Sequence, residues 1–292
     1  MNELFGLTSS FRMLSILPMF GEDSKKRGLA LAWSPVVGAV IALLCILFPL
    51  FLENRAAGVN MTSRIFSALL EGIAYVTFEA FLTRGYHLDG LADSFDGWGG
   101  AWDKEKTLEI MRDSHIGSFG TIALVLTLGI KVVAAAALCS YGFFSWLLLI
   151  PVFSRCLMAF QAANNQYAGG NAEASKNSEK VAEVSKESEK SGSLAGQVVN
   201  ETEVFHFVVS LVLTVGLAAV TIFLGNHIGT NGAYTLATSI VFGAGFVMTM
   251  LTGYCSRARL GGVTGDILGA TVELSEMAML FAAASFLVIT IV

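Results

Sequence analysis

The sequence predicts an all-α integral membrane protein, a polytopic bundle of about seven transmembrane helices with its N-terminus in the cytoplasm. Three observations predict it. Of 292 residues, 54% are hydrophobic and 14% charged, against about 25% charged in soluble domains, and the mean hydropathy is +0.66. Seven stretches hold the roughly 20 mostly apolar residues that a bilayer-crossing helix needs. The basic residues fall almost entirely on one side of those stretches. This composition excludes a soluble globule and a disordered chain. A net charge of −5 also excludes binding to nucleic acid by bulk charge, so the expected surroundings are a lipid bilayer and no nucleic acid.

Taken in order, residues 1–32 contain Glu3, Glu22 and Asp23 and lack a continuous apolar run, so no removable signal peptide is expected. The spans are expected at about 33–52, 65–83, 119–140, 143–160, 204–225, 233–254 and 267–292. The second is interrupted by Glu71 and Glu79, the third holds Lys131, the fourth runs into Arg155, and the last holds Glu273 and Glu276. Only Tyr141–Gly142 separate the third and fourth, which makes them antiparallel neighbours. The thirty glycines suit close helix packing. The run Gly243-Ala244-Gly245 could pack within one chain or between copies, so a homo-oligomer is left open. Cys45, Cys139, Cys156 and Cys255 are scattered among apolar neighbours and read as buried thiols.

Orientation follows from Lys and Arg counts. Residues 1–32, 84–118, 161–203 and 255–266 carry four, four, four and two of the eighteen basic residues, whereas the opposite side carries only Arg55 and Arg64. The richer side is read as cytoplasmic, in the cell's inner (plasma) membrane. The chain is expected to form one domain over 1–292, with a catalytic loop at 84–118 and a flexible charged loop at 171–203. That second loop alternates Lys, Glu and Ser with few apolar residues and cannot build a core.

The chemistry concentrates in three places, all on the basic-rich side. In Thr83-Arg84-Gly85-Tyr86-His87-Leu88-Asp89-Gly90-Leu91-Ala92-Asp93-Ser94-Phe95-Asp96-Gly97, three carboxylates recur at i, i+4 and i+7. On a helix they share a stripe about 60° wide. Such a stripe repels itself unless a cation intervenes, and hard oxygen ligands suit Mg²⁺ beside substrate phosphate. The bland alternative is a solvated helix face or a set of caps. Next comes Met111-Arg112-Asp113-Ser114-His115-Ile116-Gly117-Ser118. Here Arg112 could pair with phosphate, Asp113 could ligate metal or act as a base, and His115 could carry a proton or bind phosphate. The start of the following span could attract an anion. Third, the Gly-rich Leu260-Gly261-Gly262-Val263-Thr264-Gly265 leads into a helix carrying Asp266, Glu273 and Glu276. Carboxylates inside a span are functional or paired, with Lys131 and Arg155 as available partners.

These motifs, HLDGLADSFDG at 87–97, MRDSHIGSFG at 111–120 and LGGVTGDILGATVELSE at 260–276, resemble the cobalamin synthases, the adenosylcobinamide-GDP ribazoletransferases of bacteria and archaea. FRMLSILPM at 11–19 and Ser154–Arg155 fall in the same order, so the resemblance covers most of the chain. It implies a membrane enzyme that uses Mg²⁺. A ribose hydroxyl of α-ribazole, or of its 5′-phosphate, attacks the phosphorus attached to adenosylcobinamide. GMP leaves, and adenosylcobalamin or its 5′-phosphate forms.

Carried over by motif, Asp89, Asp93 and Asp96 bind metal and diphosphate, with Asp93, Asp96 and His115 catalytic and Asp96 the candidate base. Arg84, His87, Arg112, Asp113, Arg155, Asp266 and Glu273 contact substrate or complete the site. Two departures stand out. Tyr167-Ala168 is followed by Gly169-Gly170 rather than by Arg, and Arg84 stands where the family often has a small residue. The acidic stretch alone also resembles the aspartate motif of the CDP-alcohol phosphotransferases, which act on lipid alcohols, but Asp89-Gly90 is not followed by their Ala-Arg pair. A transporter using Glu273, Glu276 and Lys131 as a relay is the third alternative, and no internal repeat supports it.

Overall fold

A computed structural model describes residues 2–53, 61–169, 194–224 and 232–291. Among these residues every regular element is helical. Seven helices are long and apolar enough to cross a membrane: α3 (Ser34–Glu53), α4 (Met61–Leu82), α7 (Ser118–Ser140), α8 (Phe144–Ala163), α10 (Val204–Leu224), α11 (Gly232–Leu260) and α12 (Gly265–Ile291). Five shorter helices join them: α1 (Asn2–Leu14), α2 (Gly28–Ala32), α5 (Tyr86–Gly100), α6 (Lys104–Met111) and α9 (Leu194–Glu201). Because the spans alternate in direction, all five short helices belong to connections at the same end of the bundle.

The expected spans are all present, and the differences lie in the connections. The expected loop at 84–118 is mostly two helices. Residues 170–193, the greater part of the expected charged loop, lie outside the described residues. The rest of that loop is not loop: 194–201 forms α9, which buries Val198 and Val199. Two apolar side chains on one face are enough to dock so short a helix once partners exist.

α8 and α12 form the centre, with 78% and 72% of their spanning windows buried, against 17% in α10. Outward-facing Leu43, Leu47, Phe66, Leu70, Val212 and Val215 are exposed, as bilayer-facing residues should be. Cys45, Cys139 and Cys156 are buried as expected, but Cys255 is exposed on the outer side of α11. Gly245 packs against Met279 of the same chain, while Gly243 faces open space.

Pro151 in α8 shows how backbone polarity is settled. Proline has no N–H, so the carbonyl of Leu147 one turn earlier loses its helical donor. The Tyr75 hydroxyl of α4 donates to that carbonyl at 2.7 Å, and Tyr75 is 1% exposed.

The interior also holds a cluster of five charged groups. Lys131 of α7 lies 3.0 Å from Glu79 of α4, 2.8 Å from Glu273 and 2.7 Å from Glu276 of α12. Arg155 of α8 pairs with Glu276 and, at 3.3 Å, with Glu79. The Ser154 hydroxyl donates to Glu276 at 2.8 Å. Every member is at most 3% exposed. Removing one partner of a buried ion pair strands the other, at about 3–5 kcal/mol. Lys131→Met therefore should sharply lower folded yield and detergent melting temperature. Adding Glu273→Gln, which deletes one stranded carboxylate, should recover part of the loss.

Candidate active site

The turn Thr83–Gly85 sets the direction of α5. Arg84 and Gly85 both adopt left-handed backbone, φ 57° and 70°, and the Gly85 N–H donates to Ala80 O at 2.8 Å. The backbone here favours a residue without a Cβ, so a small residue suits the position and Arg84 adopts a disfavoured conformation. Its side chain is exposed at the turn. The Ile16 N–H donates to Leu82 O at 2.8 Å, docking the chain after α1 onto the end of α4.

α5 packs against α7 and α12. A Cβ at Gly90 would meet the Asp266 backbone, and one at Gly269 would lie 3.1 Å from His87 Cα. The two helices thus touch backbone to backbone, and the first turn of α12 brings Asp266 beside Asp89 and Asp93. Asp89 is exposed, and Asp93 and Asp266 are partly buried. The carboxylates of Asp89 and Asp93 make no hydrogen bond or ion pair to any described residue. Burial, reinforced by the charges of Asp89, Asp266 and Asp96, pushes the Asp93 carboxyl up to about 7. Arg112, exposed at the end of α6, lies within electrostatic range of Asp266.

Asp96 has a different role. Its two oxygens accept from the Gly117 N–H at 2.7 Å and the Gly120 N–H at 2.8 Å. It thereby caps the N-terminus of α7 from twenty-one residues away, and it is 8% exposed. A Cβ at either glycine would collide with this carboxylate. The span start that was expected to attract a substrate anion is occupied by one from the chain itself. A carboxylate that accepts from two backbone donors positions the helix it caps, so Asp96, expected as base and metal ligand, has a structural task at the start of α7.

The remaining expected residues divide between surface and interior. Asp113 Oδ1 accepts from the backbone N–H of His115 at 3.0 Å and lies 2.7 Å from its Nδ1. Those hydrogen bonds hold the exposed Asp113 carboxyl below its usual range. His115 projects into solvent beside the start of α7, its side chain 90% exposed. Arg155 and Glu273, expected to contact substrate, lie instead in the interior ion-pair cluster at 0% and 3% exposure. There they tie α8 to α4 and α12 to α7. His87 is 4% exposed, and burial, helped by the charge of Arg155, lowers it to about 3, so its ring is neutral.

Two groups were not assigned from sequence. Glu79 was noticed only as an interruption in a span, because nothing local marks its partners. Arg12 was quoted within FRMLSILPM but given no role. It donates to Met19 O and Gly21 O, pairs with Asp23 at 3.1 Å, and lines a pocket of about 400 Å³ together with His87, Asp89 and Asp266. The Gly-rich loop before α12 is held separately. The Val263 N–H donates to Gln166 O, the Ala168 N–H donates to Val263 O, and Arg259 caps the end of α5 through Trp98 O and Ala101 O while stacking on Trp102 at 3.9 Å.

No three of the described His, Cys, Asp and Glu side chains converge closely enough to chelate an ion as they stand. The donor set still fits a hard divalent cation. Asp89, Asp93 and Asp266 offer oxygen only, lie on two abutting helices, and repel one another in its absence.

Residues 6–284 match the family described as cobalamin-5-phosphate synthase. A relative from Chlorobaculum parvum, named adenosylcobinamide-GDP ribazoletransferase, is 31% identical over 97% of this chain and 96% of its own. One of the same name from Syntrophobacter fumaroxidans is 33% identical over 96% and 97%. One from Sinorhizobium medicae is 35% identical over 88% and 86%. No solved structure matches the chain. With the family matched across nearly all its length and its acidic motif folded into one site at the meeting of α5, α7 and α12, this chain belongs to the cobalamin-5-phosphate synthase family.

Proposed function

We propose that the chain is a transferase joining adenosylcobinamide-GDP to α-ribazole or its 5′-phosphate. A ribose hydroxyl forms a bond to the cobinamide-linked phosphorus, the bond from that phosphorus to GMP breaks, and the hydroxyl proton leaves to a carboxylate of the site. The products are adenosylcobalamin, or its 5′-phosphate, and GMP. One observation carries this function beyond kinship: three carboxylates that form no ion pair among the described residues, Asp89, Asp93 and Asp266, gather where two abutting helices meet, and Asp89 and Asp266 line a pocket.

Asp89, Asp93 and Asp266 would hold Mg²⁺. Bound there, it would neutralise charge on the diphosphate and on the departing GMP. Arg112, beside Asp266, contacts a phosphate, and Arg84 and His115 at the rim are placed to add further contacts. Asp96 keeps α7 seated against α5 and so sets the spacing of Asp93 from the rest. The site faces the cytoplasm, following the basic-residue bias, which also gives water-soluble substrates access.

The decisive assay is GMP release from adenosylcobinamide-GDP and α-ribazole in detergent or liposomes, with and without Mg²⁺. Asp89→Asn and Asp93→Asn should each lower the rate by about a hundredfold or more, the scale of losing one transition-state charge contact, with melting temperature retained. Full turnover by either variant would refute the assignment. Asp96→Asn should behave differently and lower the melting temperature, since losing a cap costs about 0.5–2 kcal/mol. A rate loss at unchanged stability would instead mark Asp96 as the base. The Asp93 shift gives a pH test. Its carboxyl is raised from 3.8 to about 7 in the folded chain, so the folded state binds that proton more tightly than the unfolded state. In chelator, stability should fall as pH rises from about 4 to about 7, and Asp93→Asn should flatten that slope.

A further inference from the structure

The pocket beside the acidic site has an apolar interior and a polar rim. Leu31, Met158, Val198 and Leu268 line it, from α2, α8, α9 and α12, and all are at most 6% exposed. Asp89 and Asp266 stand at its edge, so its mouth opens on the carboxylates that handle the diphosphate. His87 also lines it, and the buried Nδ1 of His87 has no hydrogen-bond partner. An unpaired buried ring nitrogen costs about 1–3 kcal/mol, a cost that a ligand atom can remove.

The pocket's size and lining select among the groups that the transferase must bind. At about 400 Å³ it lies near the small end of ligand sites and is too small for a corrin with its peripheral amides. Guanine carries several donors and acceptors, which an apolar interior with one unpaired nitrogen would leave unsatisfied. The base of α-ribazole is a flat dimethylbenzimidazole, apolar except for one free ring nitrogen. We propose that this pocket is the base subsite, taking the dimethylbenzimidazole ring of α-ribazole with His87 Nδ1 opposite its free nitrogen. With the proton on Nδ1, His87 donates to that nitrogen. The ribose then emerges at the rim, next to Asp89 and Asp266. The assignment rests on the transferase function proposed above, and it makes Leu31, Met158, Val198 and Leu268 determinants of which lower base is accepted.

The test separates the two. Equilibrium binding of α-ribosides is measured on the full-length protein in detergent, without the second substrate, so that turnover is not needed. Each methyl removed from the benzimidazole should weaken binding about fourfold, from the value of a buried methylene, and an adenine riboside should bind more weakly still. Ala195→Trp, which adds bulk to the pocket from α9, should weaken α-ribazole binding at least tenfold. In the GMP-release assay it should raise KM for α-ribazole, with KM for adenosylcobinamide-GDP within about twofold of wild type. Binding indifferent to both methyls and to Ala195→Trp overturns the subsite. So does a KM effect confined to adenosylcobinamide-GDP. Methyl-dependent binding that Ala195→Trp abolishes, in a protein that releases no GMP, supports the subsite and refutes the proposed reaction instead.

Discussion

Five charged side chains meeting inside the bundle constrain everything above them. Lys131, Arg155, Glu79, Glu273 and Glu276 come from α4, α7, α8 and α12 and are nearly inaccessible to solvent. In hydrocarbon such groups have no tolerable alternative to one another, so the four helices are locked in axial register as well as in lateral position. That register can be followed to the surface. Lys131 lies fourteen residues from Gly117 on α7, and Glu273 lies seven from Asp266 on α12. The difference is seven residues, roughly 10 Å of helix rise. On the antiparallel α5, Asp89 and Asp96 are also seven apart. Asp89 therefore comes level with the start of α12 as Asp96 comes level with the start of α7, where it caps the Gly117 and Gly120 amides. The interior ion pairs thus set which carboxylate meets which helix end.

Within the acidic stripe this register produces a division of labour. Three carboxylates at helical spacing look equivalent in sequence, yet they meet different surroundings. Asp96 meets backbone amides and is consumed by them. Asp89 and Asp93 meet Asp266, a like charge, and stay unpaired. A helix N-terminus attracts an anion wherever one is available. By supplying its own, the chain fills the start of α7 with Asp96 and leaves Asp89, Asp93 and Asp266 without an ion pair among the described residues.

Much of this was legible beforehand, for reasons that differ from element to element. The seven spans were readable because length and hydropathy are local, additive properties of a chain in a bilayer. The Asp89–Asp93–Asp96 stripe was readable because helical periodicity is local too. The cap on α7 was not, since it joins residues twenty-one apart, on either side of α6. Nor was Glu79, whose partners Lys131 and Arg155 lie 52 and 76 positions further along the chain. α9 was missed because two buried valines are too weak a signal in a segment dominated by Lys, Glu and Ser. Arg155 and Glu273 are expected at the site from their motifs, but both lie buried in the ion-pair cluster, whose members come from four different helices.

The same residue types therefore serve two purposes, and depth decides between them. In the interior cluster, Glu79, Glu273 and Glu276 are each matched to Lys131 or Arg155, and a titratable group becomes a structural pin. Near the loop-side end, where water and ions can reach, carboxylates are gathered without internal cations, so the repulsion that raises Asp93 remains until something positive arrives. His87 sits at the boundary, buried enough to stay neutral and open on one side to the pocket. A site of this kind cannot be assembled by local folding alone, because its unpaired charges push apart. It persists because the paired charges below hold α7 and α12 together, and α5 packs against both.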